Sequence, residues 1–265
     1  MVYIGMNPYM IDAGGFVLSW HGFFAFLGVV VAVVLVTRWG PTKGVPSDDV
    51  YGTAIWAIIG GIVGARLVHV IDRWDYYGDN LIQAVELWNG GIALLGSIIG
   101  GFIAGVIYAR LQGYPIGKLA DLAAPALLIA QTIGRIGDVI NGEHVSKVTD
   151  LSWGFVYNHP LSLSNQVHGL MASHPTVLYE MIWNMLVLSV VWPMRDRIKP
   201  DGMLFAMYIG LYAFGRFFIS FLREDKVWFA GLQEAHLICI VLVVISVPLL
   251  VYKGQIVSKR YIGDR

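Results

Sequence analysis

The chain has 265 residues, 57% of them hydrophobic and only 14% charged, with zero formal net charge and a mean hydropathy of +0.65. Soluble domains carry about a quarter charged residues, so an ordinary soluble globular domain is excluded and a polytopic membrane protein is indicated. The zero charge balance gives no case for nucleic acid as a partner, and the lone Cys239, inside an apolar run, excludes an intrachain disulfide.

Met1–Gly15 lacks a basic n-region, so no cleavable signal peptide is expected. Apolar runs of about 20 residues, the length a bilayer core demands, then recur at Val17–Trp39, Tyr51–Ile71, Gly91–Ala109, Leu119–Gly137, Thr176–Met194, Met203–Leu222 and Ala235–Tyr252. The expected fold is all-α. It is a single transmembrane domain over residues 1–265 with seven transmembrane helices and a small extracytoplasmic segment at about 145–173. Asp121, Pro125 and Gln131 interrupt the fourth run. The second and third carry the pairs Gly60/Gly64, Gly96/Gly100 and Gly101/Gly105, whose GxxxG spacing suits close helix packing.

Basic residues set the orientation. Arg38, Lys43, Arg110, Lys118, Arg195, Arg197, Lys199, Lys253, Lys259, Arg260 and Arg265 fall in the 1–2, 3–4 and 5–6 loops and the tail. The N-terminus and the 2–3 loop hold Arg73 beside Asp12, Asp72, Asp75, Asp79 and Glu86. This bias predicts an N-terminus outside and a cytoplasmic C-terminus. The other basic residues run against it. Arg66, Arg135, Arg216 and Arg223 lie in the outer half of their helices or on the outer side, at the level where His21, Tyr179 and Glu180 open theirs.

The densest polar stretch is Gln131–Ser146, QTIGRIGDVINGEHVS, where an apolar run turns abruptly polar. Arg135 and Asp138 share a helix face three residues apart, and Asn141, Glu143 and His144 follow. Ionisable groups at a membrane helix end are costly and line a polar cavity or bind something. Arginine's planar fork suits phosphate, so a cluster of arginines at this level points to an anionic phospholipid headgroup. His144, His159, His168 and His174 are too scattered to read as a metal site, and no nucleotide or nucleophile-elbow motif occurs, so no cofactor is expected.

GRIGDVINGEH at Gly134–His144 resembles the signature of the prolipoprotein diacylglyceryl transferases, which runs Gly-Arg-x-Gly-Asn-Phe-x-Asn-x-Glu-x-x-Gly. LSWHG at Leu18–Gly22, GARLVHV at Gly64–Val70, WNGGIALLGSIIG at Trp88–Gly100, HPTVLYE at His174–Glu180 and the YxxxR of Tyr212–Arg216 fall in the order of that family. The resemblance implies transfer of a diacylglyceryl group from phosphatidylglycerol to the lipobox cysteine of a prolipoprotein signal peptide, with glycerol phosphate leaving. It implies a multi-pass protein of the plasma (inner) membrane, in contact with the bilayer, whose active site faces the extracytoplasmic leaflet. Arg135, Glu143 and Arg216, at positions matching the family pattern, and His21, at a position that departs from it, are the candidate catalytic residues. Arg66, Asp138, Asn141, Tyr212, Glu180 and Arg223 are the candidate substrate-binding residues.

Departures mark the chain as a diverged member. Asp138 stands at the signature's first asparagine, Val139 at its phenylalanine and Ser146 at its last glycine. His21 stands at a helix 1 tyrosine, Leu95 at a histidine and Ser220 at a glutamate. Without that histidine, His21, His144 or Glu143 must act as base. A related transferase with another lipid donor or acceptor, and a phospholipid-binding protein without chemistry, are the other readings.

Overall fold

The computed structural model describes residues 1–14, 16–79, 81–86, 90–91 and 93–257. Trp88 and the tail residues Lys259, Arg260 and Arg265 lie outside the described residues. The helices are α1 (Trp20–Trp39), α2 (Ser47–Asp72), the single turn α3 (Trp74–Tyr77), α4 (Leu94–Leu111) and α5 (Ile116–Asn141), then the short α6 (Leu163–His168), α7 (Thr176–Met194), α8 (Met203–Ser220) and α9 (Glu234–Lys253). Among the described residues, six of them (α1, α2, α5, α7, α8 and α9) are long and apolar enough to cross a membrane, and Leu95–Leu111 within α4 is a shorter apolar helix. The protein is therefore mostly helical and polytopic.

It is not purely helical. Short strands β1 (Val2–Ile4), β2 (Tyr9–Ala13), β3 (Phe16–Ser19), β4 (Phe155–Tyr157), β5 (Ile198–Lys199), β6 (Val227–Phe229), β7 (Leu232–Gln233) and β8 (Gln255–Ile256) form two-stranded sheets. The antiparallel hairpin β2–β3 pairs Asp12 with Val17 and Ala13 with Phe16. It takes the first residues of the run predicted as helix 1. The helix starts later because Ser19 Oγ accepts the Gly22 amide at 3.0 Å, an N-cap contact.

Contacts gather the chain into two compact units, Met1–Leu35 with Ala120–Arg265, and Val36–Leu119. In the second, α2 packs on α4 through glycine. A Cβ added at Gly64 would lie 2.3 Å from the Gly96 carbonyl oxygen and 2.9 Å from Gly100 Cα. Lipid tails are as apolar as side chains, so helices in a bilayer associate through such close packing and through polar contacts. Arg66 is buried in this unit. Its Nε donates to Ala84 O, Nη1 to the carbonyls of Gly90 and Gly91, and Nη2 to those of Gln83 and Glu86.

In the first unit α8 packs against α7 and α9. Leu128 of α5, Val187 and Val191 of α7, and Leu204 and Tyr208 of α8 form a buried cluster. Asp121, which interrupts an apolar run in the sequence, caps α8: its carboxylate accepts the amides of Gly202 at 2.8 Å and Phe205 at 2.9 Å. Residues 142–175 fold over the end of α5. There β4 pairs in parallel with β1, and the buried Tyr157 donates its hydroxyl to Val139 O at 3.0 Å.

Candidate active site

The site grows from the last turns of α5. Gly137 lets the start of α1 come close, since a Cβ there would lie 2.6 Å from Trp20 O and 2.7 Å from His21 Cα. That approach brings His21 Nδ1 to 2.5 Å from Asp138 Oδ1. The other Asp138 oxygen accepts from Arg135 Nη1 at 2.5 Å, the contact expected of two residues three apart on one face. Beyond α5 the backbone turns left-handed at Gly142 (φ 65°) and again at His144 (φ 64°). A left-handed non-glycine residue is uncommon and persists where its surroundings hold it.

His144 lies between two guanidinium groups. Arg135 Nη1 lies 3.0 Å from its Nε2 and Arg223 Nη2 lies 2.9 Å from its Nδ1. Burial, aided by the charges of Arg223 and Arg135, keeps its pKa below the ordinary value of 6.5, against the hydrogen bond to Asp138. The neutral ring that results can accept from only one guanidinium: accepting from Arg223 through Nδ1 turns Nε2–H toward Asp138 Oδ2, 3.4 Å away, and leaves Arg135 Nη1 a neighbour rather than a donor. The rest of the Arg223 fork is bidentate with Asp225, Nε at 2.7 Å and Nη2 at 3.1 Å. Glu143 accepts from Asn141 Nδ2 at 2.9 Å and presents its other oxygen 3.5 Å from His21 Nδ1.

The far half of the site centres on Glu180 of α7, which is 2% exposed. Its carboxylate receives Arg135 Nη2 at 2.8 Å, Arg216 Nη1 at 2.7 Å and the Tyr212 hydroxyl at 3.0 Å. Tyr212 and Arg216 are one turn apart on α8, so both reach the same carboxylate. One acid thus holds two guanidinium groups side by side. Among the described residues, Nη1 is the only Arg216 nitrogen with a partner, which leaves Nε and Nη2 unpaired on a side chain that is 13% exposed. Ser220, at the family's glutamate position, turns back to Arg216 O at 2.8 Å and takes no part.

The structure therefore joins His21, Arg135, Asp138, Asn141, Glu143, Glu180, Tyr212, Arg216 and, through His144, Arg223 in one cluster of hydrogen bonds and ion pairs within the first unit. Arg66 is not part of it. Its five N–H donors go to carbonyls of its own unit, so the substrate-binding role predicted for it has no open donor to act through. Asp225 and the bridging part of His144 are additions. A short-range acid beside Arg223 was visible in the sequence, but no local pattern signals the ring held between two arginines.

His21, Asp138 and Glu143 are the group among the described residues whose ligand atoms all lie within 4.8 Å of one another, close enough to consider a metal. The 2.5 Å between His21 Nδ1 and Asp138 Oδ1 argues against it. Two ligands of one tetrahedral zinc, each about 2.0 Å from the ion, stand roughly 3.3 Å apart. The observed spacing is that of a short hydrogen bond.

The sequence profile described as Prolipoprotein diacylglyceryl transferase matches residues 8–252. The chain belongs to the prolipoprotein diacylglyceryl transferase family. A relative from Listeria innocua, named phosphatidylglycerol--prolipoprotein diacylglyceryl transferase, is 34% identical over 257 residues, 97% of this chain and 93% of its own length. Another of that name from Acaryochloris marina is 33% identical over 245 residues, 91% and 88% of the two chains. A third, from Limosilactobacillus reuteri, is 32% identical over 253 residues, covering 94% and 91%. The similarity to this transferase family thus extends through every helix that supplies the site.

Proposed function

We propose that the protein transfers a diacylglyceryl group from phosphatidylglycerol to the cysteine thiol of a lipobox in a prolipoprotein signal peptide. The carrying observation is the Glu180 carboxylate shared by Arg135 and Arg216. Attack of sulfur on the glyceryl carbon forms a thioether, and the carbon–oxygen bond to glycerol phosphate breaks. The leaving group gains negative charge, so donors aimed at it are stabilising in the transition state. Arg216, whose Nε and Nη2 have no partner among the described residues, takes the phosphate, and Arg135, on the neighbouring oxygen of Glu180, adds positive charge. Tyr212 and Glu180 fix the two arginines, and Asn141 orients Glu143. Arg223 and Asp225 hold His144 and the loop around it.

The same reading places seven spans in the plasma (inner) membrane, with the N-terminus outside and the site facing the outer leaflet, where secreted precursors arrive. The basic residues on the cytoplasmic side support this orientation. Purified protein in lipid nanodiscs, given phosphatidylglycerol and a lipobox peptide, should yield a peptide heavier by one diacylglyceryl group, with equimolar glycerol phosphate. Headgroup binding without either product would overturn the assignment in favour of a lipid-binding protein. Product only with another phospholipid would move it to a related transferase.

A further inference from the structure

Two departures from the family pattern, His21 in helix 1 and Asp138 in the signature, lie more than a hundred residues apart in the chain, yet their side chains meet at 2.5 Å. Asp138 is buried at 1% exposure, and its second oxygen is tied to Arg135. A fixed carboxylate against Nδ1 selects the tautomer with Nδ1–H and leaves the Nε2 lone pair outward. The His21 side chain is 44% exposed, and its Nε2 has no hydrogen-bond partner among the described residues. One face of the ring is thus anchored and the other is open.

The alternatives in the cluster are less suited. Both nitrogens of His144 face guanidinium groups, so an added proton would sit between two positive charges. Glu143 has one oxygen engaged by Asn141. The charged groups around His21 are Asp138 and Arg135 from α5 and Glu143 from the loop that follows it. Asp138 and Glu143 are the carboxylates nearest the ring, and Arg135 lies one contact further.

Building on the transferase reading above, we propose that Asp138 and His21 form a carboxylate–imidazole dyad that takes the proton of the acceptor thiol. His21 is the catalytic residue and Asp138 positions it. The thiol proton moves to Nε2, sulfur forms its bond to the glyceryl carbon, and the carbon–oxygen pair leaves with glycerol phosphate. The imidazolium then returns its proton to water, so no further reactant is needed. General-base removal is worth about a hundredfold or more in rate.

Thioether formation is followed against pH for the parent, His21→Phe and Asp138→Asn, with and without a chelator. The parent should show an acidic limb from one group. His21→Phe should lose that limb and about a hundredfold in rate. Asp138→Asn, which cannot favour the imidazolium, should move the limb to lower pH, a readout that survives even if His21→Phe folds poorly. A parental limb in either variant overturns the dyad while leaving the transferase reading in place. Absence of product from the parent overturns both. Loss of parental activity on chelation, restored by zinc, would replace the dyad by a metal.

Discussion

Replacing Glu180 by glutamine removes one negative charge and keeps the shape. The carboxylate accepts three donors at 2.7–3.0 Å. A glutamine oxygen can keep Arg135 and Tyr212, but its amide nitrogen then faces the Arg216 Nη1 donor. At least one charge-assisted bond is lost, about 1.5–3 kcal/mol. At about 1.4 kcal/mol per factor of ten, turnover should fall roughly 10- to 150-fold if Arg216 must be held for the leaving phosphate. Initial rates of thioether formation at saturating phosphatidylglycerol measure this directly. Glu180→Asp keeps the charge but retracts it by one methylene and should fall between parent and glutamine variant. A Glu180→Gln protein within twofold of the parent, with an unchanged unfolding midpoint, would refute the view that this carboxylate organises the arginines.

Single cysteines at Asp75 and Gly154 should react with an impermeant thiol reagent added outside, while those at Thr42 and Asp196 should not; the opposite pattern would reverse the orientation. Because the folded protein holds His144 below its ordinary pKa, the unfolded chain binds the extra proton first as pH drops below about 6.5. The parent should therefore lose thermal stability relative to His144→Gln from pH 7.5 to 5.5, and a constant difference in midpoint would contradict a buried neutral ring. Gly64→Leu should lower the midpoint by forcing α2 from α4, since overpacking costs about 1–3 kcal/mol, whereas Gly105→Ala, whose Cβ would have its nearest neighbour at 3.5 Å, should leave it in place.

Much of this architecture is legible in the sequence because the bilayer demands long apolar runs, and those runs became α1, α2, α5, α7, α8 and α9. The edges differ where local chemistry intervenes. Ser19 delays α1, and α5 continues past Gly137 to Asn141. The Arg135–Asp138 contact follows from helical spacing. Glu180 does not announce its partners, because they lie 45 residues before it and 36 after it. Asp121 looks like a break in an apolar run, yet it caps a helix 81 residues downstream. Arg66 shows the converse: an arginine placed against the charge bias reads as a ligand for phosphate, while its fork donates to the carbonyls of Gln83, Ala84, Glu86, Gly90 and Gly91. Residue type and level in the membrane are written locally, whereas the choice of partner depends on which helices meet.

The shared carboxylate of Glu180 also bears on biogenesis. During synthesis Arg135 reaches the membrane 45 residues ahead of Glu180, and Arg216 follows 36 residues behind it. A charged side chain on a lone helix costs about 2.5–3.5 kcal/mol to insert at the helix centre and less toward an end, where Arg135 and Arg216 lie. Until α7 arrives, α5 carries its arginine with Asp138 as the local counter-charge. Once α7 is in place, Glu180 offers α8 a counter-ion on entry, so α8 never has to shelter its arginine alone. A chain ending before α7 would lack the carboxylate that Arg135 shares with Arg216 in the finished fold.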